Sequence, residues 1–275
     1  MATLKNHLIL FDAECPMCRV YTQAFVKSGM LDQQGRAAYQ DFNEQACPML
    51  DRQRAANEIA LVNQETGEVT YGIQSLFTVF ATSFPVLKPF FLFKPFVWLM
   101  SKLYAFISYN RRVIIPAAIT SEASSTIQPS FRLDYRIAYL LFSCLVTGYI
   151  LSDYSLLLKG LIPAGNPFRE YMICSGQVLF QGIIIGAFDR SNRWEYLGNM
   201  MTISFAGALL LLPALLLAPW LNFPPVFYGG WFMVVAGLML LEHIRRSNLL
   251  QMSYGITFSW VLYRVLVLLF ILITA

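Results

Sequence analysis

Apolar positions fall into two regimes along the chain. Up to about Arg112 they come in short runs separated by charged and polar residues; beyond Arg132 they merge into long runs. In the first regime, segment 7–11 (His-Leu-Ile-Leu-Phe) is a short apolar run of β-compatible residues and predicts a buried strand. Asp12-Ala13-Glu14 follows as a turn. Pro16 suits the first turn of a helix, where its missing N–H would have no intrahelical partner. Val20, Tyr21, Ala24 and Phe25 recur at helical spacing, and Gly29 should mark the stop. Segment 37–42 predicts a second strand, and 46–56 a polar helix opened by Cys47-Pro48. Segments 58–63 and 68–71 read as two strands joined by the turn Gln64-Glu65-Thr66-Gly67. Gly72-Ile73-Gln74-Ser75-Leu76 begins a further helix.

The resulting order, β-α-β-α-β-β-α, belongs to the α/β class. It is the order of a thioredoxin-like fold: parallel strands linked by a crossover, then an antiparallel hairpin and a closing helix. Segment 84–107 departs from this pattern. It is highly aromatic, is interrupted by Pro85, Pro89 and Pro95, and carries Lys88, Lys94 and Lys102. Three prolines argue against one straight membrane span. Two readings stand: helices lying in the membrane interface with lysines reaching toward head groups, or a greasy closing helix packed on the soluble domain.

The second regime predicts an all-α, multi-span transmembrane region. Five spans are expected, at roughly 137–151, 171–188, 197–217, 226–241 and 256–274. Each approaches the ~20 apolar residues that cross a bilayer, the first and fourth being short. The expected organisation is a thioredoxin-like domain over 1–112, a linker over 113–130 and a membrane bundle over 131–275. With the N-terminus inside, the cytoplasmic segments hold Arg132 and Arg136, Arg190 and Arg193, and Arg245 and Arg246. The outer segments hold only Lys159 and Arg169, which satisfies the positive-inside rule and puts the C-terminus outside.

Composition supports the membrane reading. Hydrophobic residues make up 57% of the 275 and charged residues only 13%, where a soluble domain is nearer about a quarter charged. The net charge of +4 comes with no Lys/Arg run interleaved with aromatics, so nucleic-acid binding has no footprint. The first seven residues are polar and 8–11 is too short for a signal-peptide core. The N-terminal domain is therefore expected in the cytoplasm, where thiols are kept reduced.

The chain has five cysteines, and an odd number argues against a disulfide-stapled secreted scaffold. Cys144 and Cys174 lie in or beside expected spans and read as small buried apolar residues. Cys15-Pro16-Met17-Cys18 is different, because it follows a strand and opens a helix. Unsatisfied N–H groups and partial positive charge at a helix N-terminus stabilise a thiolate. Cys15, expected at the exposed end, is the candidate nucleophile, and Cys18, one turn inside, the resolving thiol. Asp12 either serves this site, by accepting a proton or bonding the helix start, or is an ordinary turn residue. Glu14 should raise the thiol pKa, opposing the helix terminus. Cys47-Pro48 repeats the pattern of cysteine then proline at a helix start, so Cys47 is either a third redox thiol or a structural cysteine. A zinc half-site competes, but no second CxxC exists, and His7 and Cys47 fit no common ligand spacing.

The motif Asp12-x-x-Cys15-x-x-Cys18 resembles that of the DCC family of thiol–disulfide oxidoreductases. Leu10-Phe11 is similar to the family's strand entry. Gly72-Ile73-Gln74-Ser75-Leu76 resembles its Gly-x-x-Ala-Leu element with serine for alanine. Leu103-Tyr104 and Asn110-Arg111 resemble its closing segment. The resemblance spans about 7–112 and implies a thioredoxin-like fold with disulfide exchange through Cys15 and Cys18. One departure from thioredoxins is visible: no proline lies between Pro48 and Pro85, so the position near Val69, where a cis-proline would face the dithiol, lacks one.

In the membrane half, Arg264 near the middle of the last expected span is a candidate site for an anionic or quinone-like ligand, or else pairs with a carboxylate. Gln177 and Gln181, one turn apart, form either a polar stripe or interhelical glue. No Gly-rich loop indicates a nucleotide cofactor, and His243 is the bundle's single histidine, which disfavours haem. The expected cofactor is none beyond the redox-active disulfide. The expected partners are the lipid bilayer and a thiol- or disulfide-bearing protein or small thiol. Two function classes result: a membrane-anchored thiol–disulfide oxidoreductase, or a transport or sensing protein whose CxxC is a redox switch.

Overall fold

The computed structural model describes residues 2–42, 47–116, 127–163 and 165–273. Its chain divides into two compact units, Met1–Tyr135 and Arg136–Ala275.

In the first unit, strand β1 (His7–Phe11) is buried from Leu8 to Phe11. It lies between two strands and is covered on both faces, which is why it reads as a continuous apolar run instead of an alternating one. Leu8 and Leu10 point into one core with Tyr39, Cys47, Ala55 and Ala56. Ile9 points into the other, with Phe25, Leu31 and Val79. β1 pairs in parallel with β2 (Arg36–Ala38) and antiparallel with β3 (Ala60–Asn63), and β3 pairs antiparallel with β4 (Val69–Tyr71). The sheet order is β2-β1-β3-β4, with Leu10 opposite both Ala37 and Ala60. Helix α1 (Pro16–Lys27) makes the crossover, α2 (Arg52–Asn57) precedes the hairpin and α3 (Ile73–Ser83) closes it. The thioredoxin-like element order predicted from the sequence is present strand for strand.

Two boundaries move. β2 is three residues long and does not extend to Phe42. The helix expected over 46–56 begins only at Arg52, because Asp51 caps it by accepting the Arg54 N–H at 2.9 Å. Ala46 lies outside the described residues. Gly72, before α3, has φ +61°, and a Cβ there would collide with the Glu58 carboxylate. The positive φ favours glycine at that position, and any other residue would also have to displace the Glu58 side chain.

Segment 84–107 is not one straight helix. A 3-10 turn (Pro85–Leu87) leads into α4 (Lys88–Leu92) and then α5 (Lys94–Ile114), with an 88° bend between α4 and α5. Pro95 sits in the first turn of α5, where proline is tolerated. Val86, Phe90, Leu92, Phe93 and Trp98 are exposed. The far end of α5 instead buries Ser108, Asn110, Arg111 and Val113. Val113 and Ile114 thus belong to α5, and the middle of the expected linker, 117–126, lies outside the described residues.

The second unit is helical. α6 (Leu133–Ser155), α7 (Arg169–Phe188), α8 (Arg193–Leu221), α9 (Pro225–Leu249) and α10 (Tyr254–Ile273) account for the five expected spans. All five are long and apolar enough to cross a membrane. The first and fourth are not short: they run 23 and 25 residues, because helix continues through the polar flanks Asp134–Arg136 and Glu242–Asn248. Thr274 lies outside the described residues.

Candidate functional site

Cys15 occupies the N-cap of α1, with extended backbone (φ −93°, ψ 107°). Its sulfur accepts the Cys18 N–H at 3.3 Å, so the thiol itself fills the capping role that serine or aspartate usually plays. Pro16 starts the helix, giving up an N–H that would have no partner. Both cysteines are free thiols.

The two thiols are oppositely polarised. Cys15 is lowered from its ordinary range to about 7, chiefly by the hydrogen bond from the Cys18 thiol. Burial opposes this, while the Cys18 N–H and the Arg111 charge add to it. Cys18 is pushed far up, first because it donates to Cys15 and second because it is buried. Cys15 is thus the thiolate and Cys18 the held proton. Cys15 is not at an exposed end: it is 1% exposed and Cys18 4%. Phe11, Met17 and Tyr21 pack around the pair, so the sulfur that caps the helix is also part of a small apolar cluster.

Asp12 is buried and accepts from every side. Its Oδ1 takes the Glu14 N–H at 3.0 Å and the Gln40 amide at 2.9 Å. Its Oδ2 takes Arg111 at 2.8 Å and Arg112 at 3.4 Å, and its carbonyl takes the Cys15 N–H at 3.1 Å. Burial would raise its pKa, but the Arg111 charge and hydrogen bond, helped by Arg112 and Gln40, bring it below the ordinary carboxylate range. A carboxylate held ionised in this way is a poor proton acceptor and a good anchor for the helix start. Glu14 pairs with Arg112 at 2.9 Å.

Arg111 ties the site to the rest of the unit. It donates to Asp12, to the carbonyls of Ala56 and Asn57 at 2.6 Å each, and to Ser108 Oγ at 3.1 Å. Beside it, Tyr104 Oη accepts the Ile59 N–H at 3.0 Å. A cavity of about 310 Å³, lined by Cys18, Tyr21, Phe80, Tyr104 and Arg111 among others, adjoins the dithiol. The roles of Arg111, Arg112 and Gln40 are not visible in the sequence pattern. The one signal for Arg111 is its place in the Asn110-Arg111 pair, about a hundred residues from the motif it completes.

The remaining candidates lie elsewhere. Cys47 is buried in the opposite core, donates to the Gly67 carbonyl at 3.7 Å and does not open a helix. His7 bonds the Lys5 carbonyl at 2.7 Å. Neither joins Cys15 and Cys18. Val69 opens β4, and among the described residues there is no cis peptide bond. In the second unit, Arg264 lies with its guanidinium 3.9 Å from the centre of the Trp260 ring. Gln177 and Gln181 are buried, and Gln181 accepts from Tyr196 at 3.0 Å and Ser259 at 3.2 Å.

Comparison with known proteins agrees with this geometry over the N-terminal part of the chain. The model of the DCC1-like thiol-disulfide oxidoreductase family matches residues 9–115. The match contains Asp12, Cys15, Cys18, Arg111 and Arg112 and stops before the five apolar helices. No curated protein and no solved structure matches the chain.

Proposed function

We propose, with the DCC1-like segment at residues 9–115 as premise, that this is a membrane-anchored thiol–disulfide oxidoreductase whose Cys15–Cys18 dithiol works on the cytoplasmic side. The observation that carries the reading is the polarised pair: a Cys15 thiol near 7 at a helix N-cap, hydrogen-bonded by Cys18.

The reaction follows from that polarity. The Cys15 thiolate attacks a substrate disulfide R–S–S–R′, forming a mixed disulfide Cys15–S–S–R and releasing R′S⁻. In the resting dithiol the Cys18 proton is held mainly by its bond to Cys15 and by burial. Once Cys15 is bonded to R, the thiolate that held the proton is gone. Cys18 then gives its proton to the departing thiolate, attacks the Cys15 sulfur and expels RS⁻. One disulfide is reduced and Cys15–Cys18 is formed. The reverse sequence oxidises a partner dithiol. Because Cys15 is 1% exposed, side chains packed around it, among them Phe11, Met17 and Tyr21, must move aside for the substrate.

The membrane attachment rests on the five apolar helices, and the cytoplasmic placement on the arginine-rich loops. The exposed Val86, Phe90, Leu92 and Phe93, flanked by Lys88 and Lys94, suit the membrane interface. The test uses the full-length chain in lipid nanodiscs with a fluorescent small disulfide. Cys15→Ser should abolish reduction, and Cys18→Ser should accumulate a mixed disulfide on Cys15. Full activity in Cys15→Ser would overturn the proposal.

A further inference from the structure

A second set of thiols lies in the membrane bundle. α6 and α7 approach at Gly148, where an added Cβ would stand 2.7 Å from the Tyr171 ring. A glycine there is what lets the two helices close. Cys144 is one turn before Gly148 on α6, and Cys174 and Ser175 are about one turn after Tyr171 on α7. Cys144 Sγ lies 3.4 Å from the Oγ of Ser175, the residue next to Cys174, and the two cysteines pack in the same buried cluster. Both are free, both are buried, and both pack in one cluster with Tyr196, Met200 and Trp260. Reading them as small apolar residues explains their burial but not why they face one another.

Arg264 adds an independent observation. α10 lies against α7, with Tyr263 Oη donating to the Ile173 carbonyl at 2.8 Å. The next residue, Arg264, interacts electrostatically with Cys174. Its Nε is buried without a hydrogen-bond partner, and among the described residues it makes no ion pair with a carboxylate. The carboxylate facing the same region, Glu170, is paired with Arg169 at 2.8 Å. A cation inside a span is costly unless an anion compensates it. The ionisable groups facing this one are Cys174, Tyr196, Tyr263 and His243; only the thiol and the two phenols can become anions, and of these the thiol has the lowest ordinary pKa.

We propose that Cys144 and Cys174 form a second redox-active dithiol within the bundle, with Arg264 as the cation that stabilises the thiolate form of the pair. Its partner is a disulfide that can enter the apolar bundle. One thiol of the pair, as its thiolate, attacks R–S–S–R′ and releases R′S⁻. The other then attacks that cysteine's sulfur in the mixed disulfide and expels RS⁻, which takes its proton. One disulfide forms as one is reduced, a two-electron exchange. The site is distinct from Cys15–Cys18 and stands whether or not that pair is catalytic.

The test is thiol alkylation and peptide mass spectrometry of the full-length chain in lipid nanodiscs. Samples are equilibrated with dithiothreitol redox buffers or treated with diamide, a permeant oxidant. A Cys144–Cys174 link should form reversibly, and should persist in Cys15→Ser/Cys18→Ser. Losing the Arg264 charge should destabilise the reduced form. Arg264→Gln should therefore favour the disulfide about tenfold, about 30 mV in a two-electron couple, while Arg264→Lys stays nearer the unsubstituted protein. Cys144 and Cys174 remaining free under both oxidants, while Cys15–Cys18 links in the same samples, would overturn this proposal alone. An Arg264→Gln equilibrium equal to that of the unsubstituted protein would remove Arg264 from it.

Discussion

The two cysteine pairs of this molecule are assembled by opposite means. Cys15 and Cys18 are brought together by one turn of helix, so their sequence spacing is already their geometry. Cys144 and Cys174 are thirty residues apart on two helices and meet only through tertiary packing, with a close approach at Gly148. Each pair has an arginine, again placed differently. Arg111 is locked by Asp12, two backbone carbonyls and Ser108, whereas Arg264 lies over an aromatic ring with no carboxylate partner. A cation paired with a carboxylate serves as scaffold, as Arg111 does with Asp12; one without a carboxylate leaves room for another anion to complete it.

The sharpest way to break this comparison is to remove the scaffold arginine. Arg111→Gln removes the nearer charge partner of the buried Asp12 carboxylate, leaving Arg112 at 3.4 Å, and should destabilise the N-terminal unit by about 3 kcal/mol. The sign of its pH dependence is fixed. Asp12 is lowered in the fold, so the stability it supplies is present above the unfolded value, near about 4, and is lost as pH falls through the folded value. The gap between variant and unsubstituted protein should therefore shrink in acid. Thermal unfolding followed by alkylation of Cys47, which is buried in the unit's core, reads both effects. An unchanged melting temperature at pH 7 would show that Arg111 is not the anchor.

A smaller effect should appear in the bundle. Gly148→Val puts a side chain into the Tyr171 ring, an overpacking expected to cost about 1–3 kcal/mol. It should slow oxidative linkage of Cys144 to Cys174 and leave Cys15–Cys18 untouched, as measured by the same peptide mapping. Equal loss at both pairs would mean that the two are not structurally separate.

Local features were legible in the sequence and distant ones were not. The strand His7–Phe11, the helix start at Pro16 and the five apolar helices follow from short-range pattern, and each stands in the structure. Cys47-Pro48 was misleading because it copies a helix start, while the cap that decides α2 is Asp51 four residues on. The lengths of α6 and α9 were underestimated because hydropathy measures apolar runs and helices continue through polar flanks. The exposure of Cys15 could not be read from its N-cap position, since it depends on how Phe11, Met17 and Tyr21 pack. Arg111 and Arg112 were hidden for the same reason: they meet Asp12 across about a hundred residues.

The central claim is that Cys15 is a thiolate held by Cys18. Its most direct test is the pH dependence of alkylation at each cysteine in the full-length reduced chain, resolved by mass spectrometry. Cys15 labelling should rise with a midpoint at about 7 and precede Cys18 throughout, and Cys18→Ala should move that midpoint up toward the ordinary thiol range. A Cys15 midpoint already in the ordinary range near about 8.5, or Cys18 labelling first, would contradict the account.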